Sequence, residues 1–100
     1  MKRYRTQPGV VLTTIDGQYI LVSAKSVRDK CPYTTQINET AAFCWRILEQ
    51  GAGLDELCAA MQQEYEIDDP DALRADLVEL LAQLESANYL IEDLENGGTR

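Results

Sequence analysis

The stretch Val10-Val11-Leu12-Thr13-Thr14-Ile15-Asp16-Gly17-Gln18-Tyr19-Ile20-Leu21-Val22-Ser23 decides the fold. Both flanks are rich in β-branched and aromatic residues, which suit a pleated, half-buried surface. Asp16-Gly17 between them tolerates positive φ at both centres of a type I′ turn, whose twist matches that of the strands it joins. The pattern predicts a β-hairpin, and Pro8-Gly9 marks where it begins. Downstream, Lys25 to Pro32 is polar, charged and closed by proline, so it reads as a connecting loop. Tyr33-Thr34-Thr35-Gln36-Ile37 then has the composition of a third short strand.

After Ile37 the period changes from strand to helix. Asn38 or Thr40 can cap a helix whose apolar residues Ala41, Cys44, Ile47 and Leu48 recur at helical spacing, with Phe43 and Trp45 widening the stripe. Gln50-Gly51-Ala52-Gly53 ends it, glycine supplying the left-handed cap position. A second helix places Leu54, Leu57, Cys58, Met61 and Tyr65 on one face. Asp68-Asp69-Pro70 opens a third, because proline fits the first turn and acids favour the positive end of the helix dipole. Leu73, Leu77, Leu80, Leu81 and Leu84 form its core stripe. The order is β-β-β-α-α-α, an α+β domain in which a three-stranded antiparallel sheet is followed by three helices. That is the general plan of winged helix-turn-helix proteins. One domain is expected over residues 1–91, Tyr89-Leu90-Ile91 packing back on the core, with a polar, disordered tail over 92–100.

Composition narrows the function. The chain has 100 residues and a net charge of −8. Residues 1–50 carry seven basic and four acidic side chains, a net of +3, whereas residues 51–100 carry two and thirteen, a net of −11. An acidic half repels phosphate backbones and attracts basic partners. The start Met1-Lys2-Arg3-Tyr4-Arg5 is not followed by an apolar run, so no signal peptide, no membrane span and a cytoplasmic protein are expected. Cys31, Cys44 and Cys58 stand at least twelve residues apart and the chain has no histidine. Neither a disulfide framework, a metal site nor the usual near-neutral base fits that set. No glycine pattern cradles phosphate. The expectation is a protein without catalytic residues, metal or cofactor.

Binding is the better reading. The third strand is expected at a sheet edge, where unpaired N–H and C=O groups can accept an extended peptide. On the third helix, Arg74 and Val78 lie beside the core stripe next to Leu81, so that Val78 extends the apolar surface past the width a core needs.

Val10 to Ile91 resembles the PqqD family, whose fold is the recognition element for the precursors of ribosomally made, modified peptides. The resemblance is carried by Pro8-Gly9-Val10-Val11-Leu12, by Asp16 to Val22, by Ile37-Asn38-Glu39-Thr40-Ala41-Ala42-Phe43-Cys44-Trp45-Arg46-Ile47-Leu48, by Leu54-Asp55-Glu56-Leu57 and by Glu64 to Asp68. Asn38-Glu39-Thr40 with Trp45 five residues on is its most specific piece. Two departures are the long, charged loop Lys25 to Pro32 and the pair Ala41-Ala42 where Gly-Ala is usual. The resemblance implies a non-catalytic adaptor. It would bind the leader of a precursor peptide as an added strand and present it to a modifying enzyme, commonly a radical S-adenosylmethionine maturase. The implied groove is lined by Tyr33, Thr34, Thr35, Gln36 and Ile37 on the strand and by Arg74, Leu77, Val78 and Leu81 on the third helix. Two other readings are a homodimer that pairs its own sheet edge and a winged-helix DNA-binding regulator. The second conflicts with a third-helix segment, 69–87, that holds Asp69, Asp71, Asp76, Glu79 and Glu85 against Arg74 alone, since phosphate contacts dominate affinity for DNA.

Overall fold

The computed structural model describes residues 2–93. Its strands and helices are β1 (Arg3–Thr6), β2 (Val10–Ile15), β3 (Gln18–Ser23), β4 (Thr34–Ile37), α1 (Glu39–Leu48), β5 (Ala52–Gly53), α2 (Leu54–Glu64), α3 (Pro70–Ser86) and β6 (Leu90–Glu92). The expected hairpin is β2–β3. Asp16 and Gly17 take φ of 52° and 78°, and the ladder runs from Ile15↔Gln18 to Val10↔Ser23. β4 adds to β3 with the register Leu21↔Thr35, giving a sheet of order β2-β3-β4. Side chains alternate across it, so Val10, Leu21 and Ser23 are buried while Val11 and Ile15 face solvent.

The helix boundaries follow local chemistry. The Asn38 side chain accepts from the Ala41 N–H and caps α1. Glu56 reaches back to the Gly53 N–H at the start of α2, and Asp69 caps α3 through the N–H groups of Asp71 and Ala72 with Pro70 in the first turn. Trp45, Leu48 and Leu57 are fully buried, and Trp45 meets Tyr89 edge to face with ring centroids 6.2 Å apart. Trp45 is thus a centre of the core rather than the widening of a stripe.

A second sheet of order β5-β1-β6 accompanies the expected one. Arg3-Tyr4-Arg5-Thr6 is a strand at its centre, pairing Tyr4↔Ala52 on one side and Arg5↔Ile91 on the other. Glu92 completes β6, and Asp93 is buried against Arg3 and Arg5. The fold therefore runs two residues into the segment expected to be a tail, and the remainder of that expectation, 94–100, lies outside the described residues. The loop before β4 is also more structured than its composition suggests. Lys25–Val27 forms a 3-10 turn, Val27 and Cys31 are buried, and Asn88 Nδ2 donates to the Lys30 carbonyl at 2.8 Å.

Gly51 shows how tightly the β1 corner is built. Its φ is +88°, and a Cβ there would run into the Asp93 carboxylate that Arg3 and Arg5 hold. Gly17 has φ +78° with nothing within 4 Å of a Cβ. Gly51→Ala is expected to cost about 2–3 kcal/mol, lowering the melting temperature by roughly 10–20 °C, whereas Gly17→Ala should cost about 1 kcal/mol. Thermal melts of the two variants separate backbone strain from the steric clash.

Candidate functional site

β4 pairs with β3 on one side and with no strand on the other among the described residues. Which of its backbone groups are bare follows from the ladder. The Ser23 N–H donates to the Tyr33 carbonyl at 2.8 Å, so Ser23 and Tyr33 form a hydrogen-bonded pair. Antiparallel pairs alternate, which makes Leu21↔Thr35 and Tyr19↔Ile37 hydrogen-bonded too. The two-residue turn Asp16-Gly17 dictates the same phase from the other side, because it directs Gln18, Ile20 and Val22 toward β2. Thr34 and Gln36 accordingly aim their N–H and C=O groups away from the sheet.

Beside that edge runs a groove of about 740 Å³, a size within the range of clefts that hold ligands, roughly 300–1,000 Å³. Thr35, Gln36 and Ile37 form one wall. Leu73, Leu77, Leu80 and Leu84 of α3, with Met61 of α2, supply the apolar surface, and Asp76, Glu79 and Gln83 form the polar rim on α3. Asn38, Thr40 and Ala41 close one end, and Ala87 and Tyr89 also line the space. The Tyr89 hydroxyl is hydrogen-bonded to the Thr35 hydroxyl, and burial pushes its pKa up against the opposing effect of that bond.

The groove brings together four of the nine residues expected to line it, Thr35, Gln36, Ile37 and Leu77. Thr34 presents its backbone to the edge but its side chain belongs to the outer face of the sheet. Tyr33 lies before the strand, with the Arg28 guanidinium 3.9 Å above its ring centroid. Arg74, Val78 and Leu81 sit on the opposite flank of α3. There they line a separate hollow of about 220 Å³ with Lys2, Tyr4 and Leu54. Across that hollow they face Tyr4 of β1, a strand the sequence reading did not contain. Leu80, assigned to the core stripe, is instead half-buried and lines the groove.

Electrostatics differ between the flanks. Arg74 Nη1 bonds Asp55 Oδ1 at 2.7 Å, a contact that pushes its pKa up, and Lys2 Nζ bonds Glu85 Oε2 at 2.8 Å with the same effect. Among the described residues no Lys or Arg lines the β4–α3 groove. Burial raises the Cys31 thiol and pushes Cys44 up to about 11, which leaves both poor nucleophiles near neutral pH. Among the described residues no three His, Cys, Asp or Glu side chains stand close enough to hold a metal, and no helix is long and apolar enough to cross a membrane.

Residues 18–90 match the family model described as coenzyme PQQ synthesis protein D (PqqD). Among curated proteins none matches the chain. Two solved structures share the fold. TbiB1 in complex with the TbiA(beta) leader peptide is 22% identical with a TM-score of 0.68, the match covering 86% of this chain and 93% of that one. A lasso peptide synthetase B1 complexed with the leader peptide is 20% identical with a TM-score of 0.68, over 88% and 96% of the two chains.

The alternation along β4 sets a test of the edge. Thr35→Pro removes a ladder donor and should lower the melting temperature by about 10 °C or more, whereas Gln36→Pro removes an outward donor and should stay within about 5 °C of the parent. Thermal melts followed by circular dichroism check the ranking.

Proposed function

The chain belongs to the PqqD family, and on that footing we propose that it is an adaptor that binds the leader of a ribosomally synthesised precursor peptide at β4. The observation that carries the proposal is the bare edge of β4 facing a groove floored by the leucines of α3. An extended peptide laid there would pair its backbone with Thr34 and Gln36 and send alternate side chains toward Leu77 and Leu80. The two solved neighbours that share the fold are each complexed with a leader peptide, which supports the same reading.

The adaptor contributes no bond-making of its own and acts by effective concentration. Holding the leader beside a separate modifying enzyme, a radical S-adenosylmethionine maturase or another maturase, makes the meeting of core peptide and active site effectively intramolecular, at roughly millimolar local concentration. Ordering a disordered leader costs roughly 2–5 kcal/mol, so the expected dissociation constant is about 0.1–10 μM. Such an affinity lets the peptide leave after modification. The cytoplasm, where ribosomal precursors are made, is the place this activity requires.

The two flanks of α3 supply the test. Calorimetric titration with the precursor leader should show Leu80→Ser weakened by about 1–2 kcal/mol, since the leucine side chain meets the peptide. Val78→Ser, in the other hollow, should bind within about twofold of the parent. The reverse ranking would move the peptide to the flank lined by Arg74, Val78 and Leu81.

A further inference from the structure

Among the described residues, the ion pairs that involve α3 lie on its other flank. Lys2 pairs with Glu85 and Arg74 with Asp55. On the groove flank the acids are unanswered. Asp76 has no ion pair among the described residues, and the polar contact of Glu79 is a long one, 3.5 Å, from the Gln83 amide. These two carboxylates stand on the rim of an apolar groove that, among the described residues, no Lys or Arg lines. A peptide strand entering it brings its side chains between that rim and the leucines beneath.

From this we infer that the groove selects an extended peptide bearing a basic side chain at the level of Asp76 and Glu79, with an apolar side chain two positions away. The inference rests on the strand-addition reading above and specifies the chemistry of the peptide. Asp76 and Glu79 are three residues apart, about 4.5 Å along the helix axis, so a single Lys or Arg meets both. Side chains on one face of a strand repeat every ~6.7 Å, which brings the next one to the level of Leu80 and Leu84. The aliphatic stem of the basic residue covers Leu80 while its charge stays at the wetter rim. An acidic residue in the same place would face two like charges and lose its hydration, which makes the rim a filter against acidic segments as well.

The probes are three synthetic nine-residue peptides that alternate threonine with leucine and carry Lys, Gln or Glu in place of the central leucine. A short polyethylene glycol tail keeps them in solution. Each is titrated into the 15N-labelled chain at 50 mM and 500 mM NaCl while the amide signals of residues 34–37 are followed. The Lys peptide should bind about three- to tenfold tighter than the Gln peptide, with the Glu peptide weakest and the spread shrinking at high salt. In the double variant Asp76→Asn, Glu79→Gln the ranking should collapse while binding of the Gln peptide persists. If all three peptides shift the β4 amides equally, or the ranking survives in the double variant, the charge selection is wrong and the groove stands. If none of the three shifts those amides, the strand-addition reading falls with it.

Discussion

Tyr89 joins the two halves of the molecule, and the shape of the site depends on it. Its ring is 1% exposed and meets Trp45 edge to face. Its hydroxyl bonds Thr35 and lies 3.3 Å from the Pro32 carbonyl, while its own carbonyl accepts the Gln7 N–H at 2.8 Å. One residue thus ties the middle of β4, the loop before it, the start of the hairpin and the helical core. The neighbouring Asn88, with φ of 68°, reinforces the corner: its side chain holds the Lys30 carbonyl and its carbonyl accepts from Cys31 Sγ. β4 is held from below by Tyr89 and from one side by β3. The remaining side of the strand carries unsatisfied donors and acceptors, which is the condition for adding another strand.

α3 does two jobs with two flanks. Its buried line of Leu73, Leu77, Leu81 and Leu84 belongs to the core. One side of that line shares a hollow with Tyr4 of β1 and carries the pairs Lys2–Glu85 and Arg74–Asp55, while the other faces the groove with Asp76 and Glu79. A helix with this charge is a poor partner for a phosphate backbone. On the proposed reading, α3 and the edge of β4 serve a peptide instead.

Much of this is legible in the sequence, and the failures have physical causes. Asp16-Gly17 between two β-rich runs admits one local solution, so the hairpin and its register can be read directly. Asn38, Gly51 and Asp69-Pro70 mark helix ends because caps and left-handed corners demand those residue types. β1 is hidden, since Arg3-Tyr4-Arg5-Thr6 reads as a basic terminus and its partners Ala52–Gly53 and Leu90–Glu92 are remote in sequence. That omission leads to the next. Both flanks of the α3 stripe offer apolar residues, Leu80 on one and Val78 with Leu81 on the other. A helical wheel ranks burial but says nothing of which neighbour each flank meets. In the fold Arg74 and Val78 share a hollow with Tyr4 of β1, and Leu80, Asp76 and Glu79 lie on the groove beside β4.

The central claim, that a peptide adds to the outward side of β4, is tested most directly by amide hydrogen exchange at single-residue resolution with and without bound leader. Thr34 and Gln36 should exchange rapidly in the unliganded chain and become protected on binding, while Thr35, already bonded to Leu21, should change little. Protection that instead appears along β2, or at no strand edge, would contradict it.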